Sequence, residues 1–167
     1  MDKRRYQVFL AALSVAVSAM AVSPGTGAPL CTAAAQAGKF EFPLVPCTPE
    51  SQKRATAMIQ DCNRVLDAAN GTMPQKSRAQ ALYGRGRAHV QQLFCGGEAA
   101  AFDQAIRDLD AAITLDSGFR EAYAARALAY EYQGDHQGAV LDFRESYRRG
   151  VPPRWLVERL EIIESAP

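Results

Sequence analysis

Histidine is scarce in this chain of 167 residues: His89 and His136 are its full complement, which excludes a His-rich metal site. A basic surplus is missing too. Lys and Arg number 19 against 18 Asp and Glu, a formal charge of +1, whereas a dedicated nucleic-acid binder carries a marked basic excess. No Cys-x-x-Cys pair occurs, and cysteine spacings of 16, 15 and 33 match no zinc finger. No Ser-x-x-Lys motif occurs either. No segment alternates convincingly with period two, so strands are not expected. With 48% hydrophobic and 22% charged residues, disorder across the whole chain is excluded, and the length suits one ordinary domain.

Those totals mix two unlike parts. Lys3, Arg4 and Arg5 open the chain, Val8 to Val22 carry no charge, and Ala19-Met20-Ala21 precedes Pro24-Gly25. This is the layout of a secretory signal peptide, expected to be cleaved near Ala21. The alternative is an uncleaved membrane anchor. Fifteen apolar residues span about 22 Å as a helix, short of the roughly 30 Å hydrocarbon layer. Without residues 1–21, Lys and Arg fall to 16 and Asp and Glu to 17, so the mature chain is slightly acidic. A periplasmic or secreted location follows, with no stable membrane span after cleavage. Cys31, Cys47, Cys62 and Cys95 all lie in the mature part, where an even count favours two disulfides.

Residues 22–47 hold four prolines and read as a flexible lead-in. From residue 48 to 167 the pattern is helical. Thr48 can cap a helix with Pro49 in its first turn, and Met58, Ile59, Cys62, Val65, Leu66 and Ala69 form one apolar stripe. Asn70-Gly71 ends it. Further helices are expected over 79–94, 99–115, 120–133, 137–149 and 154–164, separated by glycine or proline turns. The helix from Pro49 and the helix ending at Phe94 should be antiparallel neighbours, which brings Cys47 and Cys95 to one edge. Cys62 would then lie roughly 20 Å from Cys47. That favours Cys47–Cys95 with Cys31–Cys62, while a helix start near Ser51 would let Cys47 reach Cys62 instead.

An internal repeat organises these helices. Ala105-Ile106-x-Asp108-Leu109 and Ala139-Val140-x-Asp142-Phe143 superimpose at an offset of 34, and Met58-Ile59-x-Asp61-Cys62 is an earlier copy. Leu82 to Ala88 likewise matches Tyr123 to Ala129. Residues 120–150 resemble the tetratricopeptide repeat. Tyr123 and Tyr130 stand at its aromatic positions, with Ala127, Ala139 and Ser146 at its small ones. Gly134-Asp135 forms the turn and Phe143 is the aromatic of the second helix. The resemblance covers about residues 53–164 and implies an all-α, short right-handed solenoid of antiparallel pairs. It would comprise two full units, a leading half repeat and a C-terminal capping helix, with Trp155 and Leu156 packed beneath that cap. Seven extra residues in the turn between Leu93 and Ala101 depart from the family pattern.

Other groups invite a chemical reading. Gly84-x-Gly86 lacks the strand and Gly-Lys-Ser/Thr of a phosphate loop and suits helix packing. Asp103, Asp108, Asp110 and Asp116 read as a solvated face or as partners of Arg107. His89 occupies the position of Tyr130, near the core. Asn70-Gly71-Thr72 fits a glycosylation sequon. No catalytic residue, cofactor or metal ligand is expected.

The family binds peptides or proteins in a groove lined by the first helix of each pair. The resemblance therefore implies a groove of Gln80, Tyr83, Arg87, Val90 and Gln91, followed by Glu121, Ala124, Leu128, Glu131 and Tyr132. The Lys/Asn carboxylate clamp of some members is absent, since Tyr83 and Arg87, then Ala124 and Leu128, hold its places. The implied function is a non-catalytic interaction module outside the cytoplasm with a protein or peptide partner. Two alternatives stand beside it. One is an envelope enzyme or a β-lactam- or peptidoglycan-binding helical repeat protein, similar in architecture only; the other is a self-assembling structural subunit.

Overall fold

A computed structural model of the chain describes residues 31, 44–69, 71–150 and 152–165. The signal-like segment 1–21 lies outside them, as do Asn70 and the lead-in apart from Cys31 and residues 44–47. From residue 44 onward the described chain is all-α, six helices and no strand: α1 (Pro49–Ala68), α2 (Gln75–Phe94), α3 (Ala99–Leu115), α4 (Arg120–Gln133), α5 (His136–Arg148) and α6 (Arg154–Glu164).

Local chemistry sets the boundaries. Thr48 Oγ1 accepts the Ser51 amide at 3.1 Å, and the Thr48 amide donates to Ser51 Oγ at 3.0 Å. This reciprocal capping box, with Pro49 behind it, starts α1 where the sequence places it. α2 begins at Gln75, four residues before the expected Ala79. Pro74 supplies the capping carbonyl, accepting the Arg78 amide at 2.9 Å. A proline cannot donate an amide, but at a helix start none is required. α4 ends at Gly134, whose φ of +90° only glycine adopts cheaply, and the Asp135 amide folds back to the Tyr130 carbonyl at 2.9 Å. Asp135 Oδ1 then accepts the Gly138 amide at 2.9 Å and opens α5.

α2 packs against α1, α3 and α4; α3 also meets α4, α4 meets α5, and α5 meets α6. The main core joins Leu82, Val90, Leu93, Leu109, Leu128, Phe143, Leu156 and Ile163 to a large set of buried alanines. Small residues admit close approach. A Cβ on Gly86 would stand 2.8 Å from Leu109 Cγ and 3.3 Å from the Ala105 carbonyl, so α3 lies directly on the α2 backbone there. At Gly84 the neighbour is different: Cys31, whose carbonyl would be 3.1 Å from the added carbon, with Cys62 Sγ at 3.5 Å. The glycine pair therefore serves two contacts on one helix. Leu156 is fully buried under α6, and the Trp155 ring meets Phe143 edge-on at 6.4 Å.

Two arginines tie the helices together in the same way. Arg85 on α2 grips Asp108 on α3 at 2.8 and 2.7 Å and reaches Asn63 on α1 at 2.7 Å. Arg126 on α4 grips Asp142 on α5 at 2.6 and 2.7 Å and reaches Asp110 on α3 at 2.5 Å. Arg85 and Arg126 are equivalent in the repeat, as are Asp108 and Asp142, and Asn63 and Asp110. Each fork thus spans three helices. Asp108 is therefore neither solvated nor paired with Arg107, as the sequence suggests, but 4% exposed and bonded to Arg85. Bonds to Asp142 hold the Arg126 guanidinium charged against its burial. At Asp142 itself burial pushes the carboxyl up, with Arg126 opposing. The arginine governs the pair, because a guanidinium stays charged at any working pH and a two-pronged grip requires an ionised carboxylate.

Two stability outcomes follow. Gly86→Ala forces Leu109 and the Ala105 carbonyl aside at a cost of about 1–3 kcal/mol, set against roughly 1 kcal/mol of regained helix propensity. Urea unfolding should show a net loss. Arg126→Ala strands Asp142, and the same assay should register a loss of about 2–4 kcal/mol. This lies below the roughly 3–5 kcal/mol of a fully buried pair because the arginine side chain is 19% exposed.

Candidate functional site

The face implied for binding lies on α2 and α4, which pack side by side. Its residues divide by burial. Val90 at 1% and Leu128 at 6% exposure belong to the main core. Tyr83, 5% exposed, stacks at a tilt on Phe119 with ring centroids 4.8 Å apart. Burial raises its phenol above the ordinary value, against the pull of the hydrogen-bonded Arg87. Glu131, 7% exposed, takes Arg159 of α6 in a two-pronged ion pair at 2.8 and 2.6 Å. These four side chains hold the fold and offer little surface. Gln80, Arg87, Gln91, Glu121 and Tyr132 are half-buried and reach solvent. Glu121 carries an ion pair to Arg120 at 3.1 Å, and Tyr132 leans on the core.

Gln91 has a partner that sequence patterns did not suggest. Its Oε1 accepts the Val45 amide at 3.1 Å and its Nε2 donates to the Val45 carbonyl at 2.9 Å. Residues 44–47 therefore lie across the end of α2. Leu44 among them packs on the core.

All four cysteines are bonded. Cys47 pairs with Cys95 and Cys31 with Cys62, with Cα atoms 5.3 and 5.1 Å apart, the arrangement that antiparallel α1 and α2 favour over Cys47–Cys62. The α1 start at Pro49 decides the matter, since Cys62 is then buried far along the helix. Two bridges fit an extracellular or periplasmic protein. Among the described residues no helix is long and apolar enough to cross a membrane.

The extended turn after α2 walls an open cleft of about 480 Å³, lined by Gln52 and Thr56 of α1, His89 and Gln92 of α2, Cys95 just past its end, and Gly97, Glu98, Ala100, Ala101 and Gln104 beyond. His89 Nδ1 lies 3.2 Å from Gln92 Oε1. The ring is half-buried, as its match to Tyr130 suggests, and burial pushes its pKa down while the Asp108 carboxylate pulls up. His136 is exposed at the start of α5. Among the described residues no group of three or more His, Cys, Asp and Glu side chains could hold a metal ion. Asp116 Oδ1 accepts the Gly118 amide at 3.0 Å in the turn before α4, a structural use of that carboxylate.

No family model matches the chain, and no curated protein matches it. Toward solvent the face carries the Arg87 guanidinium, the Glu121 carboxylate and the Tyr132 phenol, beside the Gln91 carboxamide that holds both backbone groups of Val45.

A His89 pKa below the ordinary value means the folded chain favours the neutral ring. That contribution is complete above about pH 6.5 and is lost as pH falls through the folded value. Urea midpoints at about pH 7.5 and about pH 5.5 should differ in the native chain, and His89→Gln should shrink the difference.

Proposed function

We propose that the chain is a non-catalytic interaction module of the periplasm or the extracellular space, built as a short tetratricopeptide-like solenoid. Its face on α2 and α4 would take an extended segment of a protein partner. The observation that carries this reading is Gln91, whose carboxamide already holds a backbone at both hydrogen-bonding groups of Val45. Main-chain hydrogen bonds of this kind supply affinity while neighbouring side chains supply specificity, and stacked helical repeats present extended surfaces on which a partner chain can lie.

The 34-residue repeat supports the antiparallel-pair arrangement. So do the equivalent arginine forks and the sequential helix packing. Arg87 and Glu121 would add charge recognition of both signs, and Tyr132 an amphipathic contact suited to an interface. Burial narrows the contact set to Gln80, Arg87, Gln91, Glu121 and Tyr132.

The test is affinity capture from an envelope extract with the native chain and an Arg87→Glu/Tyr132→Ala variant, both checked for helical circular dichroism. Partners recovered by the native chain should be lost from the folded variant. Equal recovery by both would sink the assignment of this face.

A further inference from the structure

The two disulfides are not equivalent. Cys31 and Cys62 are fully buried, fitted beneath Gly84, and the Cys31 amide is held by Asp61 at 3.2 Å. Cys47, by contrast, is exposed, and Cys95 lines the open cleft beside His89 and Gln92. Exchange needs a thiolate to reach a sulfur, so access alone separates the two bonds. Gln91 adds a second link: the Nε2 that donates to the Val45 carbonyl also stands 3.3 Å from Cys95 Sγ. One carboxamide therefore touches both the lead-in and the bond that ties it down.

We propose that Cys47–Cys95 is a reversible thiol–disulfide exchange site, opened by a dithiol, that latches residues 44–46 onto Gln91 and covers the C-terminal end of the α2 face. The incoming thiolate attacks Cys47 Sγ and forms a mixed disulfide. The electron pair of the broken S–S bond leaves on Cys95 Sγ, where Gln91 Nε2 already donates, and that thiolate takes a proton from water through the cleft. The second thiol of the dithiol then displaces Cys47. In sum the dithiol becomes a disulfide, and two electrons and two protons end on Cys47 and Cys95.

Once the bond is cut, residues 44–46 keep their covalent link to the capped start of α1, but only two solvent-exposed hydrogen bonds and one half-buried leucine still order them against α2. The local concentration that the ring closure supplied is gone, and the segment lifts away. Gln91 is then open to another chain. That last consequence rests on the interaction reading above; the reactivity of the bond and the release of residues 44–46 do not.

The experiment titrates the full chain with dithiothreitol, alkylates the free thiols, and maps them by mass spectrometry alongside amide hydrogen exchange at Val45. Cys47 and Cys95 should be labelled while Cys31 and Cys62 stay bonded and helical circular dichroism is unchanged. Val45 exchange should then rise roughly tenfold or more. Opening of both bonds together, or Val45 protection that persists after selective opening, overturns the proposal. Cys47→Ser/Cys95→Ser should exchange fast at Val45 without reductant, and slow exchange in that folded variant also overturns it. Gln91→Ala should speed the same amide with the bond intact. If the latch behaves so while the α2/α4 variant still captures every partner, the latch stands and the interaction reading falls.

Discussion

A guanidinium half-sunk between helices must have its donors bonded, and twice in this chain one arginine meets that demand by holding three helices at once. Arg85 spans α1, α2 and α3; Arg126 spans α3, α4 and α5. The carboxylates they grip, Asp108 and Asp142, are almost fully buried, so neither half of a pair can be left alone without a large desolvation cost. Register between successive helix pairs follows from this. A slip of one residue would carry the aspartate off the face that the arginine reaches.

The forks work only because the helices approach closely around them. Gly86 lets Leu109 and the Ala105 carbonyl onto the α2 backbone, and a lining of buried alanines continues that contact through α3, α4 and α5. Aromatic rings fill the space left at the edges, where Tyr83 meets Phe119, Phe102 meets Tyr130, and Phe143 meets Trp155. At the N-terminal end the same helix uses Gly84 to seat a disulfide instead. There Cys62 of α1, bonded to Cys31, meets Ala81 of α2 in a smaller cluster.

Much of this was legible in the residues. Helix positions followed from apolar spacing and turn residues, and three of the six, α3, α4 and α6, coincide with the expected spans. The disulfide pairing followed from one premise, that α1 and α2 are antiparallel neighbours. The face on α2 and α4 was read less well, because a repeat motif assigns a residue to a helix side but not to a depth. Glu131 illustrates the point. A charged residue on a first-helix face reads as groove, yet Arg159 of α6 arrives over it and buries it. The acidic cluster failed similarly: Asp108 looks solvated until Arg85, 23 residues earlier, is brought opposite it. The 34-residue offset of Asp108 and Asp142 was a usable signal, since paired aspartates facing paired arginines in equivalent helices suggest a contact repeated with the fold.

By itself the sequence determined the all-α class, the number and approximate ends of the helices and the small-residue contacts, because these depend on periodicity, caps and volume within a few turns of chain. Tertiary structure alone decided which polar groups are interior, and it placed Val45 on Gln91. Both depend on groups distant in the chain meeting in space: 46 residues separate the backbone that lies on the α2 face from the carboxamide that holds it. Periodicity carries no information about such a meeting.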